Sequence, residues 1–478
     1  MKSNDNKNIP LCVDLDGTLV ATDTLHEAVL LLIKKDPFSL FRLPFWVLKG
    51  RAYFKHKVAS LVIPSVENLP YRYDFVEFLR EQKDEGREIY LTTASNERVA
   101  KKIADHFPLF TGFIGSNESE NYYGIDKRNM LVSKFGEKGF DYCGDSYSDV
   151  AVWHSARKGI LVNAPKALHS AAGAVCEIER SFSYPKSRLK LTIKQIRVYQ
   201  WMKNVLIFLP MLLAHKLNAE LLTNCVAAFF SFSFAASSIY VLNDLTDLNA
   251  DRIHPRKRAR PFASGALPLA WGALLIPILL VLSLTIAVAF LNVNFFVCLI
   301  VYLVTTTLYS FKLKRIHLLD IIILSTLYTL RLISGAVATA VALSPWLIAF
   351  SVFVFLSLAI VKRYTELTAL QRENKEKPKG RDYYVEDINL LLSFGASSGL
   401  LAVLIFILYV NNPETLLLYK NPVFLYGMSP LMLYWIMRIW FMAHRGQMTD
   451  DPVVFTAKDP ASWTVGVLIL ALAMLASV

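Results

Sequence analysis

The chain has 478 residues, of which 54% are hydrophobic and 19% are charged, and its mean hydropathy is positive. This composition is too apolar for an ordinary soluble protein, and the length suggests more than one domain. The net charge of +12 comes from basic residues that cluster in loops between apolar runs, which favours a membrane protein that binds phosphate groups over one that binds nucleic acid.

The N-terminal residues and the cysteines also limit the class of protein. Residues 1–10 are polar and contain no apolar signal segment, so we expect the first domain to stay in the cytosol. Cysteines occur singly, which predicts neither a disulfide framework nor a zinc site. They are Cys12, Cys143, Cys176, Cys225 and Cys298.

The first 180 residues alternate short apolar runs with helical patterns, which predicts an α/β domain with a parallel sheet. In such sheets, ligands bind at the carboxyl ends of the strands. Strands are predicted at residues 9–14, 88–92, 140–143 and 159–162, with helices such as 73–85 and 96–106 between them.

Polar residues follow the predicted strands in a fixed order. Asp14 and Asp16 follow the first strand, Thr92 and Thr93 the second, and the segment Gly144 to Asp149 the next, while Lys127 precedes a helix. Each signal alone is weak, because Asp-Gly-Thr is also ordinary turn chemistry. Together, over about residues 8–180, the set resembles the haloacid-dehalogenase (HAD) superfamily of phosphohydrolases.

The HAD resemblance implies a role for each of these residues. Asp14 would be the nucleophile that forms an aspartyl-phosphate, and Asp16 would protonate the leaving group and then activate water. Thr93, or Thr92 if the register differs by one, would bind phosphoryl oxygens. Lys127 would neutralise phosphate charge. The residues expected to hold Mg²⁺ are Asp14, Asp145 and Asp149; a regulatory domain without activity is the alternative.

The insert at about residues 20–66 is basic and aromatic. A small helical cap over the phosphatase site is expected here, and the same composition also fits a helix that lies on an anionic membrane surface. We place the HAD-like domain at 1–180, a polar linker at 181–194, and a transmembrane domain at 195–478.

The membrane domain is predicted to be all-α, with nine transmembrane helices. Lys and Arg fall almost entirely into the even-numbered loops, and only Lys216 and Lys420 lie in the odd-numbered ones. This asymmetry predicts a bacterial-type plasma membrane protein with its N-terminal domain and motifs in the cytosol and its C-terminus outside. The apolar segments are 205–217, 221–243, 269–291, 295–310, 318–337, 345–361, 388–410, 423–441 and 461–478.

An acidic signature ends the second apolar segment. Read as a helix, Asp244, Asp247 and Asp251 fall at i, i+3 and i+7 on one face, beside Asn243. Three carboxylates at membrane depth need compensation, and a hard divalent cation such as Mg²⁺ supplies it; a solvated helix end is the plain alternative. A dense cationic loop, 252–261, follows. This pattern resembles the first signature of the UbiA-type intramembrane prenyltransferase superfamily.

One departure from the superfamily's pattern points to a branch within it. Aromatic prenyltransferases of the superfamily carry a second acidic motif after the sixth helix, where this chain has Lys362 to Glu366 and no acidic pair. The segments 197–204, 309–314 and 362–367 together resemble the decaprenyl-phosphate phosphoribosyltransferase branch, although Val198 stands where that branch usually has proline.

The branch resemblance implies that a polyprenyl phosphate attacks phosphoribosyl pyrophosphate (PRPP), as in cell wall precursor biosynthesis. Asp244, Asp247 and Asp251 would hold Mg²⁺ against the pyrophosphate. Lys203 and Arg331 would contact the lipid phosphate, and Asp320 is an alternative partner for Arg331. The other residues expected to bind phosphate or substrate are Asn243, Arg256, Lys257, Arg260, Tyr309, Lys312 and Lys362.

Two other functions stay open at this stage. The chain fits a UbiA-type enzyme that moves a prenyl group from a prenyl diphosphate onto an aromatic or other small acceptor. A membrane scaffold or transporter with a sensing HAD domain is a non-enzymatic alternative. The sequence also leaves open whether the chain forms a homo-oligomer.

Overall fold

The computed structural model describes residues 9–184, 187–215, 218–378, 381–413, 415, 419–448 and 451–477. The polar residues 1–8, two residues of the predicted linker (185 and 186), Lys216 and Val478 lie outside this range. The chain forms two compact units. Unit 1 comprises Met1–Ile196 with Tyr240–Ile276, and unit 2 comprises Arg197–Ile239 with Pro277–Val478.

Unit 1 contains a six-stranded parallel sheet, which confirms the predicted parallel α/β fold. Its strand order is β3-β2-β1-β4-β5-β6, and all neighbouring pairs are parallel. The order reverses between β1 and β4, the position where such sheets bind ligands. The strands are β1 (Leu11–Val13), β2 (Ile89–Asn96), β3 (Gly112–Ser116), β4 (Asp141–Gly144), β5 (Lys158–Val162) and β6 (Glu177–Phe182).

Both faces of the sheet are buried. Successive side chains of a strand point to opposite faces, and each face packs against its own hydrophobic cluster. Leu11 and Val13 belong to one hydrophobic cluster, and Cys12 belongs to the cluster on the other face. This explains why β1 is an unbroken apolar run. The helices of this α/β part are α4 (Tyr73–Asp84), α5 (Glu97–His106), α6 (Ile125–Phe135), α7 (Val150–Ser155) and α8 (Lys166–Gly173).

The sequence analysis missed the two edge strands, β3 and β6. The six residues of β6, Glu-Ile-Glu-Arg-Ser-Phe, are mostly exposed, and three of them are charged. Charge on an edge strand protects the sheet from pairing with another chain, but it removes the apolar pattern by which strands are predicted. Since β6 ends at Phe182 and the next helix, α9 (Arg188–Gln195), begins six residues later, regular structure occupies most of the predicted linker outside residues 185 and 186.

The insert forms three helices, which agrees with the expected helical character of the cap. They are α1 (Thr24–Lys35), α2 (Ser39–Leu48) and α3 (Arg51–Leu61). Asp23 caps α1 by accepting hydrogen bonds from the backbone N–H groups of Leu25 and His26. A small cluster holds the three helices together, centred on Ala28, Leu32, Val58 and Val62 with Leu43, Trp46 and Phe54 against it.

Helices dominate the remaining chain. They are α9 (Arg188–Gln195), α10 (Leu209–Leu213), α11 (Ala219–Thr246), α12 (Leu248–Ile253), α13 (Leu269–Phe290), α14 (Val293–Phe311), α15 (Leu319–Thr339), α16 (Pro345–Arg372), α17 (Ile388–Val410), α18 (Val423–Tyr426), α19 (Met428–His444), α20 (Pro452–Lys458) and α21 (Pro460–Ser477). A 3₁₀ segment, Val198–Phe208, precedes α10.

Within the described residues, seven helices are long and apolar enough to cross a membrane, so the expected nine spans are not confirmed. The two other predicted segments have less regular or shorter structures. Residues 205–215 combine the end of the 3₁₀ segment with α10. Helix α19 has 17 residues, and at 1.5 Å per residue it spans about 25 Å, less than the ~30 Å of a bilayer core.

Candidate active sites

Three carboxylates converge at the reversal point of the sheet. Asp14 follows β1, and Asp145 and Asp149 follow β4. Each can place an oxygen within 4.8 Å of the others, and among the described residues this is the one group of three or more potential metal ligands that meets this criterion. Parallel strands bring their carboxyl ends to the same edge of the sheet, so residues 130 positions apart become neighbours.

Lys127 lies beside these carboxylates. Its Nζ donates a hydrogen bond of 2.8 Å to Asp14 Oδ1 and one of 2.9 Å to the Tyr142 hydroxyl, and it lies 3.6 Å from Asp149 Oδ1. The Tyr142 hydroxyl donates to Asp149 Oδ1 at 2.8 Å. These contacts order the site, and sequence analysis gave no signal for the role of Tyr142.

The electrostatics of this group fit a divalent cation. Burial raises the pKa of Asp14 to about 7, Lys127 acts in the opposite direction, and the nearby charge of Asp149 adds to the rise. Burial, with the charges of Asp14 and Asp149, raises the pKa of Asp145 well above its usual range. One lysine therefore does not compensate three carboxylates, of which Asp14 and Asp149 are buried and Asp145 is half-buried. Their oxygens are the ligands that Mg²⁺ prefers, so the donor set fits the predicted magnesium site.

Asp16 lies next to the first turn of the insert. Its carboxylate accepts hydrogen bonds from the Thr24 N–H at 2.7 Å and the Ser95 hydroxyl at 2.6 Å. Burial, with the charge of Asp23, raises its pKa to about 6. A carboxyl group with a raised pKa can both donate and accept a proton near neutral pH.

The two threonines of β2 have different partners. The Thr92 hydroxyl donates to the Val13 carbonyl at 3.4 Å, so it bonds within the sheet. The Thr93 hydroxyl accepts from the Ser95 N–H at 2.9 Å. Both side chains are buried. Thr93 thus lies in the same part of β2 as Ser95, which contacts Asp16, and it stays our prediction for phosphoryl binding.

Two residues that the sequence analysis did not select complete this site. Lys55 of α3 donates to the Ala94 carbonyl at 2.6 Å and to Asn121 Oδ1 at 2.8 Å, so the insert supplies a cation at the end of β2. Burial lowers the pKa of Lys55, and Asp16 partly offsets that effect. Gly17 has a φ of +82°, and a Cβ there would lie 2.1 Å from Asp145 Oδ2.

The acidic signature differs from the single helical face that we expected. Helix α11 ends at Thr246 and α12 begins at Leu248. Between them, Asp247 has φ −105° and ψ 16°, outside the helical range. Asp244 and Asp251 are buried, whereas the Asp247 side chain is 39% exposed. The regular helix is thus interrupted at Asp247, and the carboxylate of this residue is more exposed than the other two.

Arg260 bridges the two buried carboxylates of the signature. Its Nη1 lies 3.0 Å from Asp244 Oδ1 and 2.6 Å from Asp251 Oδ2. Gln195 of α9 donates to the other oxygen of Asp244 at 2.8 Å. Burial raises the pKa of Asp251, and Arg260 acts in the opposite direction. A guanidinium shared by two carboxylates marks a place where positive charge is strongly favoured.

Residues of α1 contact the signature within unit 1. Glu27 forms a bidentate ion pair with Arg252. The Arg252 Nη1 donates to Glu27 Oε2 at 2.8 Å, and Nη2 donates to Oε1 at 2.5 Å. Lys34 donates to the Thr246 carbonyl at 2.6 Å and lies 3.6 Å from Asp247 Oδ1. Neither Glu27 nor Lys34 was singled out from the sequence, because partners more than 200 positions apart give no local signal.

The cationic loop begins with an exposed turn. His254 Nδ1 accepts from the backbone N–H groups of Arg256 and Lys257 at 3.2 and 3.4 Å, and both of these side chains are exposed. Gly265, four residues after the loop, has φ +67°, and a Cβ there would lie 2.7 Å from the Cβ of Ala21. The loop therefore presents two cations to solvent beside the buried acidic pair. Asn243, the residue before Asp244, is half-buried near the end of α11.

In unit 2, Lys203 and Lys362 share one carboxylate. Lys203 forms a hydrogen-bonded ion pair with Asp451, and Lys362 Nζ lies 3.9 Å from the same residue. Burial alone would raise the pKa of Asp451, but the two cations lower it to about 2. Asp451 also caps α20. The sequence gave no signal for its role at this cluster.

Arg331 is buried within unit 2 and has neutral partners. Its Nε donates to Asn204 Oδ1 at 2.8 Å and its Nη2 to the Tyr302 hydroxyl at 3.1 Å. Nη1 donates to the Leu327 carbonyl at 2.5 Å. The suggestion that Asp320 pairs with Arg331 is wrong, because the two residues lie on α15 about three turns apart.

Asp320 instead pairs with Arg363 of α16. The distances from Arg363 Nε and Nη2 to the two carboxylate oxygens are 2.5 and 3.0 Å. The Tyr309 hydroxyl donates to Asp320 at 2.9 Å and accepts from Arg363 at 3.1 Å. Glu366 accepts from Arg363 at 2.8 Å and also pairs with Arg381. Lys312, at the end of α14, is exposed.

Comparison with known proteins places the chain in a family. The profile of the UbiA prenyltransferase family matches residues 204–458. The uncharacterized protein y4nM of Sinorhizobium fredii is 37% identical over 471 residues, 97% of this chain and 90% of the relative. The nodulation protein NoeC of Azorhizobium caulinodans is 35% identical over 267 residues, 56% of this chain and 86% of the relative. The decaprenyl-phosphate phosphoribosyltransferase of Mycobacterium tuberculosis is 35% identical over 205 residues, 42% of this chain and 68% of the relative. The chain therefore belongs to the UbiA prenyltransferase family.

Proposed function

We propose that this membrane protein joins a polyprenyl phosphate to PRPP and forms polyprenylphosphoryl-5-phosphoribose. The observation that carries the proposal is the 35% identity with decaprenyl-phosphate phosphoribosyltransferase over 205 residues. The segment from Lys362 to Glu366 supports it, because it has no acidic pair for a second metal site and its Arg363 pairs with Asp320 and Glu366.

In the proposed reaction, an oxygen of the lipid phosphate attacks the anomeric carbon of PRPP. The bond from that carbon to pyrophosphate breaks, and pyrophosphate leaves. Bound Mg²⁺ would neutralise the leaving group. Asp244 and Asp251 are the proposed ligands of this ion. The partly exposed carboxylate of Asp247 is the proposed third ligand. Arg260 would then exchange its two carboxylates for phosphate oxygens, beside Arg256 and Lys257.

The cations of unit 2 are proposed to receive the lipid phosphate. Lys203 and Lys362 stand together at Asp451, so one carboxylate faces two ammonium groups. Arg331 already lies over the rings of Tyr302 and Tyr328, at 5.0 and 5.5 Å from their centroids. Tyr309 and Lys312, with Asn243 of the signature, complete the proposed substrate-binding residues.

The N-terminal domain is proposed to be a HAD-type phosphatase that removes the 5-phosphate from this product. Asp14 attacks the phosphorus, the bond to the ribose oxygen breaks, and Asp16 gives that oxygen its proton. Asp16 then takes a proton from the water that hydrolyses the aspartyl-phosphate. Lys127 and Thr93 hold the phosphoryl group. Bound Mg²⁺, on Asp14, Asp145 and Asp149, would stabilise the charge on phosphate.

We also propose the domain limits 1–180, 181–194 and 195–478, with the N-terminal domain and the motifs in the cytosol and the C-terminus outside. The loop charges support this orientation. Nine spans need α19 and the segment 198–213 to cross in addition to the seven long helices. The 3₁₀ part of that segment rises about 2.0 Å per residue and is therefore about 22 Å long. This rise is larger than that of an α-helix, so the segment reaches further than its small number of residues suggests.

The transferase is tested with purified protein, Mg²⁺, labelled PRPP and a polyprenyl phosphate. We expect a labelled lipid, and we expect Asp244→Asn to abolish it because the substitution removes ligand charge but little volume. Glu220→Gln, an exposed carboxylate at the start of α11, is the matched control and should retain activity. Label transfer only from a prenyl diphosphate to an aromatic acceptor would replace the proposal with prenyl transfer.

The phosphatase is tested by the phosphorylation state of the lipid product, which mass spectrometry separates. Wild type should release polyprenylphosphoryl-ribose, and Asp14→Asn should accumulate the 5-phosphorylated lipid while transfer continues. Asp126→Asn, an exposed carboxylate next to Lys127, is the control. The same lipid from wild type and Asp14→Asn would show that the phosphatase acts on another substrate, such as pyrophosphate.

A further inference from the structure

Helix α2 of the insert has an unusual surface. Phe38, just before it, and Phe41, Phe45 and Leu48 within it are 71%, 71%, 67% and 85% exposed. Their spacing of three or four residues places them on one side of the helix. Leu43 and Trp46 face the other way and pack against the small cluster of the insert. A helix that buries one side and exposes four large apolar side chains on another has a second partner.

The charge around this helix selects the kind of partner. Residues 28–66 contain seven Lys or Arg and a single acidic residue, Asp36. Arg42 and Lys49 lie beside the exposed apolar side, and the Arg42 side chain is 61% exposed. Apolar side chains flanked by cations are typical of a helix that lies in the interface of an anionic bilayer.

Contacts within unit 1 join the insert to the end of a candidate membrane span. Lys34, at the end of α1, donates to the carbonyl of Thr246, the last residue of the candidate span Ala219–Thr246. Only four residues separate Lys34 from the start of α2. The Trp271 Nε1 donates to the Thr192 hydroxyl at 3.1 Å, and Trp271 stands at the start of the candidate span Leu269–Phe290. These two hydrogen bonds join α1 and α9 of unit 1 to the ends of two candidate spans.

We propose that α2 lies in the interface of the same bilayer that the long helices cross. Phe38, Phe41, Phe45 and Leu48 enter the acyl boundary, about 5–10 Å deep for such helices. Arg42, Lys49 and Arg51 meet anionic headgroups. This surface belongs to the insert that supplies Thr24 and Lys55 to the phosphatase site, so the bilayer orients that site toward lipid-borne phosphate.

The test uses the full-length protein in nanodiscs of phosphatidylcholine and phosphatidylglycerol. A single environment-sensitive fluorophore is attached in Phe41→Cys, in Phe45→Cys and, as the reference position, in Glu81→Cys, an exposed residue of α4. The background carries Cys298→Ala, since the other four cysteines are buried. Quenching is measured with nitroxide on the lipid acyl chain and with iodide in water.

We expect the nitroxide lipid to quench positions 41 and 45 several-fold more than position 81, and iodide to quench them several-fold less. Iodide quenching equal to that at position 81 would place α2 in water and overturn the proposal. Protection from both quenchers would also overturn it, because a second copy or a protein partner would then cover the helix.

The role of the cations is tested separately with the double variant Arg42→Gln/Lys49→Gln. In nanodiscs with phosphatidylglycerol, nitroxide quenching at position 41 should fall to the level seen with phosphatidylcholine alone. Equal quenching in both lipid compositions, with or without the two cations, would overturn the assignment of anionic headgroups.

Discussion

The ion pair between Glu27 and Arg252 should be one of the most sensitive points of unit 1. The two side chains are 4% and 5% exposed and meet through two hydrogen bonds, and Arg252 Nε also donates to the Ala263 carbonyl at 2.9 Å. Glu27→Ala leaves a buried guanidinium with one neutral partner. Removing one member of a buried pair costs about 3–5 kcal/mol.

The cost should appear locally, in α1 and in the signature loop, because both segments depend on the pair. Unfolding of a two-unit membrane protein is not a two-state process, so amide hydrogen exchange in nanodiscs is the appropriate assay. At 1.4 kcal/mol per tenfold, 3 kcal/mol speeds exchange by roughly 10²-fold. We expect this increase for residues 24–35 and 248–265, and no change for the exposed control Glu81→Gln.

A double-mutant cycle decides whether the pair itself is responsible. The cycle compares the combined variant Glu27→Met/Arg252→Met, which removes both charges and keeps much of the volume, with the single variants Glu27→Met and Arg252→Met. The combined variant should exchange more slowly than either single variant, since apolar replacement of a buried pair is often nearly neutral. The interaction energy should be about 2–3 kcal/mol. Wild-type exchange in the single variants, or a double variant equal to the sum of both, would refute the reasoning.

Three further predictions concern the sites. Gly17→Ala should abolish phosphatase activity and leave transfer unchanged, because its Cβ would lie 2.1 Å from an Asp145 oxygen at φ +82°; a lipid product without the 5-phosphate would contradict this. Arg260→Lys should lower transfer at least about tenfold, because an ammonium replaces a guanidinium fork; unchanged kinetics with PRPP would count against a phosphate contact. Asp451→Asn should leave the buried Lys203 and the partly exposed Lys362 close together without their carboxylate and should reduce transfer and local stability by about 1–3 kcal/mol; unchanged activity and unchanged amide exchange would show that the Lys203 contact is dispensable.

Much of the α/β part could be predicted from local pattern. Strands β1, β2, β4 and β5 were placed within a few residues, because central parallel strands are apolar runs that end in polar loop residues. Their order implied that Asp14, Lys127 and Asp145 meet at one edge. The edge strands β3 and β6 were missed because exposure on an edge removes the apolar pattern.

The membrane part was predicted less fully. Seven long apolar helices were recognisable from hydropathy alone, but α19 and the 3₁₀ segment Val198–Phe208 show that apolar length does not determine helix type. The signature aspartates also departed from the expected face. Asp247 has a non-helical backbone conformation and stands at the N-cap of α12, a position that aspartate favours, and the prediction of one continuous helix did not use this signal.

By itself, the sequence determined the two-part composition, the parallel sheet, the membrane helices and the choice of residues that we propose for phosphate chemistry, because these depend on local pattern and on short motifs. Only the tertiary structure decided the partners of those residues. It placed Arg260 between Asp244 and Asp251. It paired Asp320 with Arg363 rather than with Arg331. It also formed the ion pair between Glu27 and Arg252. Buried charges take whichever opposite charge the packing brings within hydrogen-bonding distance, and for Glu27 that partner lies more than 200 residues away.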